Sequence, residues 1–123
     1  MSISNFAEDA ILNAIFNNDS LAIADRYLKL HTGDPGETGA ANAAGETTRQ
    51  SITGAAAVAG TFTSVNDLAW VNVAATETYT HATIWNDATA GDCLWVGAFG
   101  TPRSVTAGDS FTIPAGSMIV SLD

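Results

Sequence analysis

Across residues 78–122, apolar and polar residues alternate in short runs, and the alternation breaks repeatedly at small turn clusters. The breaks fall at residues 86–92, 100–102, 107–109 and 114–116, each rich in Asn, Asp, Gly or Pro. A period of two places successive side chains on opposite faces, so such a run buries one face as a strand and cannot do so as a helix. Several short strands punctuated at this spacing predict an all-β sandwich or barrel. The expected fold is mainly β: an antiparallel β-sandwich or jelly-roll-like body of seven or eight strands, with one short α-helix near its start.

That helix is predicted within residues 1–18, where Phe6, Ala10, Ile11, Ala14 and Ile15 recur at helical spacing. Asn5 is the expected N-cap, with Glu8 three residues on as its capping-box partner. Asp9 adds negative charge where the helix dipole favours it, and Asn17, Asn18 and Asp19 end the segment. A helix of about twelve residues is marginal alone, so its apolar face must dock, on its own β-body or on a neighbouring subunit. The body is expected to span residues 25–123, the whole chain forming a single domain. Residues 25–32 read as the first long strand, with Leu28 and Leu30 on one face and Tyr27, Lys29 and His31 on the other. Residues 33–46 form a long loop whose Asp34-Pro35-Gly36 turn combines a fixed φ at Pro35 with tolerance of positive φ at Gly36. A loop of that length in a small domain is usually functional or disordered. Residues 47–58, 62–65 and 68–74 are further predicted strands.

Charge limits the partners. Thirteen acidic residues face four basic ones, Arg26, Lys29, Arg49 and Arg103, for a net charge of −9. Nucleic acid needs phosphate-neutralising cations, and an anionic membrane surface needs them too, so neither is an expected partner. The acidity fits a solubility role or a basic protein partner. Charged residues are only 14% of the chain, which leaves a surface of small neutral side chains suited to close packing against another protein. No run approaches the eighteen apolar residues of a membrane span. Glu8 and Asp9 stand where a signal peptide would be apolar, so synthesis without export through the secretory route is expected.

Chemistry-bearing patterns are sparse. The one cysteine, Cys93, excludes an internal disulfide and a cysteine-based zinc site. His31 and His81 sit inside strand patterns with no metal-ligand spacing. There is no GxSxG nucleophile elbow, no phosphate-cradling glycine loop and no calcium loop. Asp87, Asp92 and Asp109 lie in turns, where aspartate bonds its own backbone. Trp70, Trp85 and Trp95 fall in predicted strands, Trp85 and Trp95 flanking one turn. Core filling and cross-strand pairing account for them, and stacking of a sugar on an exposed tryptophan is the alternative. No catalytic residue, cofactor or metal is expected.

Two segments carry a resemblance. YLKLHTGDPGETG (residues 27–39) and HATIWNDATAGDCLWVGAFGTPRSVTAGDSFTIPAGSMIVSLD (residues 81–123) resemble a family of small tailed-phage virion structural proteins, often labelled tail-fibre or structural proteins. Members typically read YLALHTxDPGExG after a short helix. Later they show an aromatic strand, a DAxTGG-like turn and a GDTF…AGxLxVTLD ending. The family's middle stretch ending Ala-Arg-Gln is represented here only by GETTRQ, with Arg49 and Gln50 at its end and no aromatic residue. The resemblance implies a virion component. The preferred expectation is a capsid decoration or cement protein that binds the assembled head and bridges major capsid subunits, with self-association as a dimer or trimer. A tail-fibre component and a carbohydrate-binding module on the virion are the alternatives. The expected interface comprises Ile3, Phe6, Ile11, Ile15 and Phe16 at the helix, and Asp34, Pro35, Gly36, Glu37 and Glu46 in the loop.

Overall fold

The computed structural model describes residues 2–122. The chain is mainly β, with antiparallel pairing throughout and one short helix. In order the elements are β1 (Ser2–Ile3), α1 (Asn5–Phe16), β2 (Tyr27–His31), β3 (Gln50–Ser51), β4 (Thr61–Thr63), β5 (Leu68–Trp70), β6 (Glu77–Trp85), β7 (Cys93–Val105), β8 (Phe111–Ile113) and β9 (Ile119–Ser121). One sheet runs β1-β7-β6-β2-β3, and two ribbons pair β4 with β9 and β5 with β8. Compared with the seven or eight strands expected, one layer is a continuous sheet and the other is split into two ribbons.

Register explains which face is dry. Leu28 opposes Ile84 and Leu30 opposes Ala82, and all four are buried. The ribbons cover this face. Phe111 of β8 lies 5.1 Å from the Tyr79 ring of β6, 5.6 Å from Trp70 of β5 and 6.2 Å from Phe99 of β7. Each large side chain buried there contributes on the order of 1.5–3 kcal/mol of transfer free energy.

Several sequence expectations are corrected. Residues 47–58 supply only β3, because Ala55, Ala56 and Ala57 are exposed and offer nothing to bury. Gly54 also lies against Phe62, whose ring would be 2.0 Å from an added Cβ. The strand expected over 68–74 stops at Trp70: Asn72 takes a positive φ of 58°, exposing Val71 and returning Val73 to the core. Residues 100–102 are not a turn. β7 runs through them as a wide irregularity, since His81 opposes Ala98 while Tyr79 opposes Arg103. Five residue steps in β7 thus match two in β6. At the other end Ile84 opposes Trp95, so Trp95 shares the face of Ile84 and does not pair with Trp85, and one extra residue in β7 then brings Cys93 opposite Trp85.

The helix N-cap is Ser4, not Asn5: the Ser4 hydroxyl accepts from the Ala7 amide and donates to the Cys93 carbonyl. Glu8 is therefore not a capping-box partner. The Ser4 amide also donates to the Leu94 carbonyl at 3.0 Å. β1 and the first turn of α1 are thereby tied to β7.

The Tyr79 ring is fully buried and its hydroxyl has no hydrogen-bond partner among the described residues. Burial, with the Glu77 and Glu46 carboxylates adding to it, pushes its pKa up to about 12. An orphaned buried hydroxyl costs about 1–3 kcal/mol. Tyr79→Phe is expected to raise stability by about 1 kcal/mol, measured by thermal melting; a fall in Tm would show that the hydroxyl is bonded after all.

Candidate interaction surfaces

The 33–46 loop covers the outer face of β2 and β6 and is held from both ends. At its start, His31 is fully buried and its Nδ1 lies 2.9 Å from the Ala41 carbonyl. A carbonyl can only accept, so Nδ1 carries the proton. Nε2 then accepts from the Thr83 hydroxyl at 2.8 Å, and that oxygen accepts from the Trp85 indole N–H at 2.7 Å. Every donor in this chain of bonds has a partner while the imidazole is neutral. Burial is the main cause that lowers the His31 pKa.

At the far end two carboxylates fasten backbone amides. Glu77 accepts from Gly45 at 2.9 Å and from Glu46 at 3.1 Å. Glu46 accepts from Thr48 at 3.2 Å and from Ala74 at 3.0 Å. Glu46 is buried, so it is internal scaffolding and cannot be offered to a basic partner. Pro35 is buried as well. Asp34 accepts from the Gly36 amide at 2.9 Å, and Gly36 takes a φ of 71°, as the expected turn requires. Of the five loop positions proposed for an interface, Asp34, Gly36 and Glu37 are exposed. Gly39 approaches so closely that an added Cβ would lie 2.6 Å from Cys93 Sγ. Burial pushes that thiol up to about 11, so Cys93 is a packing residue.

The GETTRQ stretch shares this face. The Arg49 guanidinium stacks 4.3 Å from the Trp85 ring centroid and donates to the Asp87 and Ala90 carbonyls at 2.7 and 2.8 Å. Lys29 lies 5.6 Å from the same ring. Arg49 thus clips the 86–92 turn to the sheet. Asp87, whose carboxylate accepts from the Thr89 and Ala90 amides, is held below its usual carboxylate value by those bonds. None of the three tryptophans presents an exposed ring.

The helix presents the opposite case. Its covered side carries three alanines and one large residue: Ala7 is buried and Ala10, Ile11 and Ala14 are partly covered. Its bulkiest side chains face out, Leu12 at 52%, Ile15 at 66% and Phe16 at 76% exposure. Phe6 is 42% exposed, while Ile3 in β1 opposes Trp95 and is half-covered. The expected docking face, which joined Phe6, Ile11 and Ile15 to the alanines, is therefore rotated: Ile11 lies with the alanines on the partly covered side, and Leu12, Ile15 and Phe16 form a separate outward stripe. Leu12 was missed by the sequence reading. Its spacing from Glu8, Ile15 and Phe16 was the available signal.

A groove of about 320 Å³ opens between the sheet and the ribbons, walled by Leu28, Phe99, Phe111, Ile113, Met118 and Ile119. Arg103 lines its edge, and among the described residues it is the one charged group there. The three-residue excess in β7 builds this wall, which alternation alone does not reveal. Among the described residues no cluster of His, Cys, Asp or Glu is arranged to hold a metal ion, and no helix is long and apolar enough to cross a membrane.

The described residues form a β-body whose loops are pinned by internal hydrogen bonds, with an apolar helix face left outward. The family model described as podophage GP4 fiber I protein gp80 matches residues 2–121, and the chain belongs to that family. It is therefore a tailed-phage virion structural protein, in keeping with the resemblance carried by residues 27–39 and 81–123. No curated protein matches the chain.

Proposed function

We propose that the chain is a non-enzymatic subunit of a tailed-phage fibre and that it assembles through the outward stripe of α1. The observation that carries this reading is the family match over residues 2–121, whose description names a fibre protein. The helix supports it: a contiguous apolar stripe left in water marks a contact surface, and Leu12, Ile15 and Phe16 supply one. The capsid-decoration reading, with a major capsid protein as partner, has no observation that favours it over the fibre. A sugar module built on an exposed tryptophan is disfavoured because Trp70 is buried and Trp85 and Trp95 are each partly buried.

Cryo-EM of the virion with this protein labelled tests the location: density at the tail is expected, and density on the head would overturn the fibre reading. A double change, Leu12→Ser with Phe16→Ser, tests the surface. Both positions are exposed, so stability should shift by no more than about 0.5 kcal/mol per site. Incorporation into virions, measured by complementation of a phage lacking the protein, is expected to fall at least about tenfold, because truncating the anchors of a contact removes most of its affinity.

A further inference from the structure

We infer that the groove between β7 and the ribbons receives α1 of a second copy of the chain. This deepens the assembly reading of α1 and rests on it, but does not depend on where in the virion the fibre sits.

The two surfaces match in chemistry and in order. Glu8, Leu12, Ile15 and Phe16 stand at i, i+4, i+7 and i+8, so they form one stripe, acidic at its start and apolar at its end. Asp9 borders the acidic end, and the helix holds no basic residue. The groove has a matching mixed layout: Phe99, Phe111, Ile113 and Ile119 stand beside the hydroxyls of Thr101 and Ser117, and among the described residues Arg103 is the single cation in its lining. In a chain of net charge −9, an exposed arginine beside apolar side chains in a half-polar groove favours a partner that is acidic at one end and apolar at the other. A helix laid into such a groove on anchors at this spacing is a standard recognition mode.

The occupant comes from another copy because α1 docks elsewhere on its own chain. No α1 residue lines it. β1 is paired to β7 at Trp95 and Val96, and Ser4 is bonded to Leu94 and Cys93, whereas the groove-lining stretch of β7 begins at Ala98. Stripe and groove are different patches of one chain, so each copy offers one of each. Such contacts close reciprocally in a dimer or head-to-tail in a ring.

Light scattering on the purified full chain and its variants tests this. The wild-type chain is expected to form an assembly larger than a monomer. A helix variant, Leu12→Glu with Phe16→Glu, and a groove variant, Arg103→Glu with Ile119→Glu, are each expected to be monomeric while retaining a cooperative melt. Mixed in equal amounts, the two are expected to form a heterodimer, because one keeps an intact groove and the other an intact helix. Arg103→Glu alone, a single change at an exposed position, should weaken association about tenfold through its lost charge pair, and Glu8→Lys in the same chain should restore it. A monomeric wild-type chain would overturn the inference while leaving the fibre reading untouched. So would a mixture that stays monomeric, or groove variants that assemble normally, which would indicate helix-to-helix contact.

Discussion

Trp70→Ala is expected to destabilise the fold by about 3–5 kcal/mol, the usual cost of deleting a buried large aromatic side chain. Trp70 is 1% exposed. It sits on β5, whose one strand partner among the described residues is β8, and it packs against Phe111 on that partner. Its indole N–H donates to the Thr48 carbonyl at 2.7 Å. Truncation therefore leaves a cavity under the ribbon and an unpaired carbonyl in the segment that follows the 33–46 loop. Domains of this size hold about 5–15 kcal/mol in total, so the loss is a large share. Urea unfolding measures it. Trp70→Phe keeps much of the packing and loses the hydrogen bond, and should cost about 1–2 kcal/mol more than a neutral substitution. A loss below about 1 kcal/mol for the alanine variant would show that this ribbon adds little to the core.

The second large effect is pH-dependent and belongs to His31. The folded protein holds this imidazole neutral: burial lowers its pKa, Lys29 and His81 act in the same direction, and the Ala41 carbonyl opposes them. The folded value therefore lies below the ordinary 6.5. Between those two values the unfolded chain binds more protons than the folded one, so stability rises with pH across that window. The contribution is complete above 6.5 and is lost as pH falls through the folded value. Protonation would place a second N–H against Thr83, which already accepts from Trp85, and leave the hydroxyl proton of Thr83 without an acceptor. Unfolding free energy is expected to decline as pH drops below 6.5, before most carboxylates titrate, with hydrogen exchange rising first in residues 33–46. His31→Gln should flatten that segment of the profile and cost about 1–3 kcal/mol at neutral pH through broken buried bonds. A wild-type profile that stays flat there would mean that the imidazole is not held neutral.

The long β-runs were legible because strand alternation is local. Leu28 and Leu30 face the core as their spacing requires, and residues 77–85 form one strand. The Asp34-Pro35-Gly36 turn was legible from residue chemistry. The N-cap was misplaced by one residue because Ser4 and Asn5 are both good caps, and the choice is made by a bond from Ser4 to Cys93, 89 positions along the chain. Glu46 was read as a surface acid because nothing local shows that amides of Thr48 and Ala74 converge on it. The 100–102 cluster looked like a turn because Gly and Pro break strands, but β6 keeps pairing on both sides and absorbs the excess as a bulge.

From its order of residues alone this chain was set to be a mostly antiparallel β-protein with one short helix, acidic and carrying the motifs of a phage virion family. Those properties depend on spacing, composition and turn chemistry between near neighbours. Tertiary structure alone decided that the helix covers Ile11 with its alanines and turns Leu12, Ile15 and Phe16 outward, that His31 and Glu46 lock the 33–46 loop, and that β7 opens a groove beside Arg103. Which face of an element is covered depends on the partner it meets, and those partners lie tens of residues away, beyond the reach of any local pattern.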